Sequence, residues 1–153
     1  METDLEYLDR FYREIYASES SRFRKRLRRM SPKSFTVAVV SEFCANFYNG
    51  GMYSFAWNSS GDWIAESVEA MNRINARPVG GLIAEMSACF PGRGPSKWTM
   101  RRRWQIKRQS DEFEKRCDDL TDSFYALEDS GLDISQQLDD YVILNRTEPM
   151  RLV

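Results

Sequence analysis

The 153-residue chain contains no histidine. That absence removes the side chain most used as a general base and as a metal ligand near neutral pH, and with it Ser-His-Asp, Cys-His and His-Glu-x-x-His chemistry. Cysteine is scarce: Cys44, Cys89 and Cys117 stand far apart and none belongs to a Cys-x-x-Cys pair. This argues against a disulfide framework or a zinc site and for free thiols buried as small apolar groups. No apolar run reaches the length of about 18 residues that a membrane-spanning helix needs. The acidic start Met1-Glu2-Thr3-Asp4 lacks the basic-then-apolar order of a secretory signal. The expectation is a soluble, cytoplasmic chain without membrane contact. The phosphate-binding pattern Gly-x-x-x-x-Gly-Lys is also missing. Asp118-Asp119-x-x-Asp122 lacks the alternating oxygen ligands and central glycine of a calcium loop. No carboxylate pair is marked by an apolar setting that would raise one pKa for glycoside hydrolysis. No enzyme activity, cofactor or metal is therefore expected.

What is present reads as helix. Hydrophobic residues make up 42% and charged residues 29%, ordinary for a globular domain, and a chain of this size buries about 70% of its unfolded surface. Leu5, Leu8, Phe11, Tyr12 and Ile15 recur at three- and four-residue intervals and predict a first helix over 4–17 with that face inward. Ser20 and Ser21 interrupt it, and 22–29 forms a short basic helix or turn. Ser31-Pro32 marks a helix start, a capping hydroxyl followed by the residue suited to the first turn. That helix carries Phe35, Val39, Phe43, Cys44 and Phe47 and ends at Asn49-Gly50-Gly51, where left-handed backbone is easily adopted. A short helical piece over 52–57 presents Tyr53, Phe55 and Trp57 before the turn Asn58-Ser59-Ser60-Gly61. Asp62 is placed to favour the positive end of the next helix, which runs to about Asn75 and buries Trp63, Ile64, Val68, Met71 and Ile74. Pro78 opens a helix with Leu82, Ile83, Met86 and Cys89 on its apolar side. Phe90-Pro91-Gly92-Arg93-Gly94-Pro95 is a loop, because so much proline and glycine cannot sustain a helix. Helices over 98–109, 110–128 and 134–144 complete an all-α, compact single-domain bundle of about seven or eight short helices.

Four landmarks stand in order: Asn49-Gly50-Gly51; Asn58-Ser59-Ser60-Gly61-Asp62; Phe90-Pro91-Gly92; and the acidic-aromatic pair Leu120-Thr121-Asp122-Ser123-Phe124-Tyr125 and Leu138-Asp139-Asp140-Tyr141. With these, residues 35–144 resemble the bacterial DNA-mimic protein family of small all-helical proteins. One departure is Ile74-Asn75-Ala76, where the family tends to have Ile-Gly-Ala; asparagine also tolerates left-handed backbone. On this resemblance 31–145 is the family-like helical domain, 1–30 an N-terminal helix and basic segment packed on it, and 146–153 a frayed tail. The resemblance implies a non-enzymatic, dimeric binding protein whose carboxylates imitate DNA phosphates and occupy the basic surface of a DNA-binding or nucleic-acid-processing protein.

Net charge departs from a strongly acidic mimic: it is −1. The balance conceals segregation. Between Asp111 and Asp140 eleven acids face only Lys115 and Arg116, whereas 22–33 holds seven bases and no acid and 97–108 six bases and no acid. These segments either form separate surfaces or pair across the fold. The expected partner-binding residues are Asp118, Asp119, Asp122, Glu128, Asp129, Asp139 and Asp140, against the bland reading of solvated surface. The motif Asn49 to Asp62 reads as two caps around an aromatic cluster; as an anion site it lacks an internal Lys or Arg. Two other functions stay open. One is an immunity or counter-defence inhibitor of a toxin or defence enzyme, using another surface such as the tip at Arg93. The other is direct nucleic-acid binding through 22–33 and 97–108, with Phe23, Trp98 and Trp104 to stack on bases.

Overall fold

The structure, a computed structural model, describes residues 1–16, 27, 29–109 and 111–148. The sequence-predicted basic segment over 22–29, Phe23 included, falls largely outside them. Seven α-helices are present among the described residues: α1 (Asp4–Tyr16), α2 (Pro32–Trp57), α3 (Ile64–Arg73), α4 (Arg77–Ala88), α5 (Thr99–Lys107), α6 (Asp111–Asp129) and α7 (Ile134–Leu144). A 3-10 turn, Ser59–Trp63, links α2 to α3. No strand occurs among the described residues, so the all-α class expected from periodicity holds.

The axis of the fold is α2, which packs against the 3-10 turn and against α3, α5, α6 and α7. Ser31 caps it, its hydroxyl accepting from the Ser34 amide at 3.3 Å, and Pro32 occupies the first turn. Val37, Ala38, Val39 and Val40 are all buried, a run without helical periodicity because neighbours cover every side of the helix. The glycines over 50–51 bend α2 instead of ending it. Gly51 takes φ +70°, and the helix resumes at once through Met52. A side chain from α6 repairs the gap: the Met52 amide donates to Thr121 Oγ1 at 2.9 Å, and that hydroxyl donates to Cys117 O at 2.8 Å. A Cβ on Gly51 would lie 2.6 Å from Thr121 Oγ1, so here both the backbone sign and the space require glycine. Asn75 likewise adopts φ +63° and closes α3, as its tolerance of that region allows.

Phe113, Cys117, Leu120 and Phe124 are the inward stripe of α6. Phe124 meets Phe47 at 4.2 Å between ring centroids, and Phe43 packs on Phe55 at 4.8 Å, contacts that add about 0.5–1.5 kcal/mol each to simple burial. The inward face of α1 differs from the expected one. Tyr7, Phe11 and Ile15 are buried, Leu8 and Tyr12 are half-buried, and Leu5 is 80% exposed. The helix is turned toward Tyr7 by Lys33, a fully buried ammonium that donates to Tyr7 Oη (3.0 Å), Asn145 O (2.9 Å) and Glu148 O (2.8 Å). Three donors thus meet three acceptors, one of them the carbonyl that caps the electronegative end of α7. Arg146 ties the same corner through Glu2 and Asp4.

Phe124→Ala is expected to lower the unfolding free energy by about 3–5 kcal/mol, read as a fall in the urea midpoint at unchanged m value. Lys33→Met, which leaves the buried Tyr7 hydroxyl and two half-buried carbonyls without their donor, is expected to cost about 3 kcal/mol; a variant as stable as the parent in the same titration would contradict the role given to the ammonium.

Candidate functional site

The inward stripe of α6 dictates what faces water. Asp111, Asp118, Asp122 and Asp129 are spaced seven, four and seven residues apart, which places them within about 20° of one line opposite the core at 3.6 residues per turn. All four are exposed. The line is about 27 Å long at 1.5 Å per residue, the axial length of about eight nucleotides of one duplex strand. Among the described residues no lysine or arginine pairs with any of these four. The basic segment 97–108 stays separate from the acidic one: Lys97, Arg101, Lys107 and Arg108 form no ion pair with an acid of 111–140 among the described residues.

The seven acids singled out from sequence do not form one array. Asp118, Asp122 and Asp129 lie on the α6 line, and Asp119 is exposed to one side of it. Glu128 is half-buried and accepts from Tyr48 Oη of α2 at 2.8 Å. Asp139 is half-buried and turned to α1, accepting from Tyr12 Oη at 2.6 Å. Asp140 is exposed on α7, where it accepts from Gln136 Nε2 at 2.9 Å. Burial, followed by these hydrogen bonds, raises the phenol pKa of both Tyr12 and Tyr48, so both hydroxyls remain donors and hold their carboxylates in place. Asp111, counted only among the acids of its segment, belongs to the line through its seven-residue spacing.

The motif residues do structural work around a side chain from elsewhere. Arg102, on α5, is fully buried. Its Nε donates to Ala56 O (2.6 Å), Nη1 to Asp62 Oδ1 (2.9 Å) and Ser96 O (2.8 Å), and Nη2 to Asn58 O (2.6 Å). Asp62 Oδ1 also accepts from Thr99 Oγ1 at 2.9 Å, so its carboxylate ties the 3-10 turn to α5. A Cβ on Gly61 would stand 2.5 Å from Arg102 Nε and 2.6 Å from Ala56 O, which explains the glycine. Ser60 Oγ donates to Phe55 O (2.9 Å), Asn58 Nδ2 to Asn46 Oδ1 (3.0 Å) and Asn49 Nδ2 to Ala45 O (2.8 Å), while Ser59 is exposed. Gly50, like Gly51, lies at the bend of α2. Pro91 and Gly92 are exposed in the loop before α5, where Gly92 has φ +64°. The cation absent from the motif is thus supplied from α5, where it bonds to oxygens of Ala56, Asn58, Asp62 and Ser96. The signal for Arg102 was its place four residues before Ile106, the one buried apolar residue of α5.

No group of three or more Cys, Asp or Glu side chains among the described residues is arranged to hold a metal ion. No helix among them is long and apolar enough to cross a membrane. A cavity of about 430 Å³ lies between α1, α2 and α7, lined by Tyr12, Tyr16, Ser41, Cys44, Leu138 and Asp139 among others. Burial pushes the Cys44 thiol up to about 12, and that of Cys117 likewise to about 12, so neither is a nucleophile near neutral pH.

Fold and surface together define an all-α protein with exposed acids along α6 and exposed bases along α5. The chain belongs to the DMP19-like protein family, a DNA-mimic family that is generally non-enzymatic, whose model matches residues 28–145. Neither the curated proteins nor the solved structures gave a match.

Arg102→Met is expected to destabilise the protein by about 3–5 kcal/mol, because Asp62 is left as a half-buried charge without its partner. Gly61→Ala should act in the same direction, and both are read by chemical denaturation. With thiol pKa values of about 12, Cys44 and Cys117 are neutral at pH 8. Their reaction with a disulfide reagent at that pH is expected to be slow in the native protein, to accelerate as pH rises toward 12 while the fold persists, and to be fast in urea at pH 8.

Proposed function

We propose that the outer face of α6 engages the basic surface of a DNA-binding or nucleic-acid-processing protein in place of DNA and so inhibits or regulates it. One observation carries the reading: Asp111, Asp118, Asp122 and Asp129 form an exposed line of carboxylates, without a basic partner among the described residues, on a helix anchored by Phe113, Leu120 and Phe124. Anchoring matters because a pre-ordered charge array loses little entropy on binding, and rows of like charge steer an oppositely charged partner. Membership of a DNA-mimic family supports the same reading. Asp119 extends the charge beside the line and Asp140 adds an exposed carboxylate on α7, while Glu128 and Asp139 are held by tyrosines and contribute field more than contact. A second copy of the chain belongs to this reading, and light scattering tests it against the 17.9 kDa monomer.

Affinity capture from host lysate, eluted with competitor duplex DNA, tests the assignment when run in parallel with a variant carrying Asn at 111, 118, 122 and 129. The parent is expected to retain a DNA-binding protein that duplex DNA releases. The variant is expected to bind it at least about tenfold more weakly, with a flatter salt dependence. Equal retention by the variant would remove the α6 line from the function.

A further inference from the structure

The buried Arg102 and Ile106 occupy the inner side of α5, and what they leave outside is unusual. Trp98 is 71% exposed and Trp104 58% exposed, and Met100, Arg101, Lys107 and Arg108 are also exposed. Two tryptophans so open to water are uncommon on a surface that has no use for them. The segment 97–108 itself contains six bases and no acid. Among the described residues Arg101, Lys107 and Arg108 have no ion-pair partner, and Lys97 meets only Glu66, at 3.1 Å. The guanidinium of Arg108 lies over the Trp104 ring, 4.5 Å from its centroid, a cation–π contact that covers one face of the indole and brings a cation close to a planar group stacked on the other.

We infer that the outer face of α5 is a binding site for single-stranded nucleic acid, distinct from the α6 line and independent of it. Charge complementarity selects a polyanion. The exposed rings select among polyanions: a base offers a flat π-face to stack on an indole, worth about 1–3 kcal/mol per base, whereas an acidic peptide made of carboxylates does not. The segment from Trp98 to Arg108 is about 15 Å long at 1.5 Å per residue, the axial length of about four nucleotides of one duplex strand and of fewer in an extended single strand. Arg101, Lys107 and Arg108 meet the phosphates, and Trp98 and Trp104 stack on bases. Arg102 does not take part, because its donors are already committed to Ala56, Asn58, Asp62 and Ser96. Arg103 is also turned inward, donating to Trp57 O at 3.0 Å.

Fluorescence anisotropy of a labelled oligothymidylate of about 12 nucleotides, within the range of known single-strand sites, tests the assignment across a salt series. Saturable binding at low ionic strength is expected, with the logarithm of the affinity falling against the logarithm of salt with a slope of about −2, the value for three phosphate contacts on a single strand. Trp98→Ala with Trp104→Ala should lose at least about tenfold in affinity at an unchanged slope. Arg101→Gln with Arg108→Gln should weaken binding and flatten the slope. All four positions are exposed, so thermal melting should stay near that of the parent, and the Asn variant of the α6 line should bind the oligonucleotide no less tightly. Absence of salt-sensitive binding would overturn the inference, as would full affinity in the tryptophan variant. Equal competition by polyglutamate of matched charge would assign the face to an acidic protein instead.

Discussion

The guanidinium of Arg102 fixes how α5 is set against the rest of this molecule. It enters a cradle made by the last turn of α2, the 3-10 turn and the loop before α5, and bonds to three backbone carbonyls and the Asp62 carboxylate. A buried charge is stable only where desolvation is offset by partners in good geometry. Each feature of the cradle answers that need: Gly61 leaves room, Asp62 supplies countercharge, and Thr99 steadies the carboxylate. Because Arg102 is held from inside, α5 is fixed in rotation, and Trp98, Met100, Arg101 and Trp104 have nowhere to go but outward.

A similar logic orients α6. Its inner stripe is set by Phe113, Cys117, Leu120 and Phe124, and its register against α2 by Thr121, whose hydroxyl completes the helix across the bend at Gly51. The acidic line is therefore a consequence of core packing read on the other side of the same helix. Two helices next to each other in the chain present charges of opposite sign, each locked by a contact with α2 or the turn that follows it. Near-neutral net charge is compatible with strongly charged surfaces when the signs are kept on different helices.

Much of this was legible in the chain. Helix starts and stops at Ser31-Pro32, at the loop around Pro91 and at Asn75 follow from local chemistry, because caps, prolines and left-handed residues act within a few positions. The exposed aspartates of α6 were legible for the same reason, since a helix with one apolar stripe must expose the rest. Less legible was α1, where Leu5 and Tyr7 compete as inward residues. The winner was chosen by Lys33, a partner 26 residues away from Tyr7.

Local sequence determined that the protein is helical, where most helices begin and end, and that acid and base are segregated along the chain. Only the tertiary structure decided what the charges do. Arg102 and Lys33 sit in basic runs but are buried among oxygens contributed by segments distant in sequence, while Glu128 and Asp139 are drawn out of the acidic array by Tyr48 and Tyr12. The physical reason is that burying a charge or fixing a carboxylate depends on desolvation and on partners brought together by packing, and neither quantity is written in the neighbours along the chain.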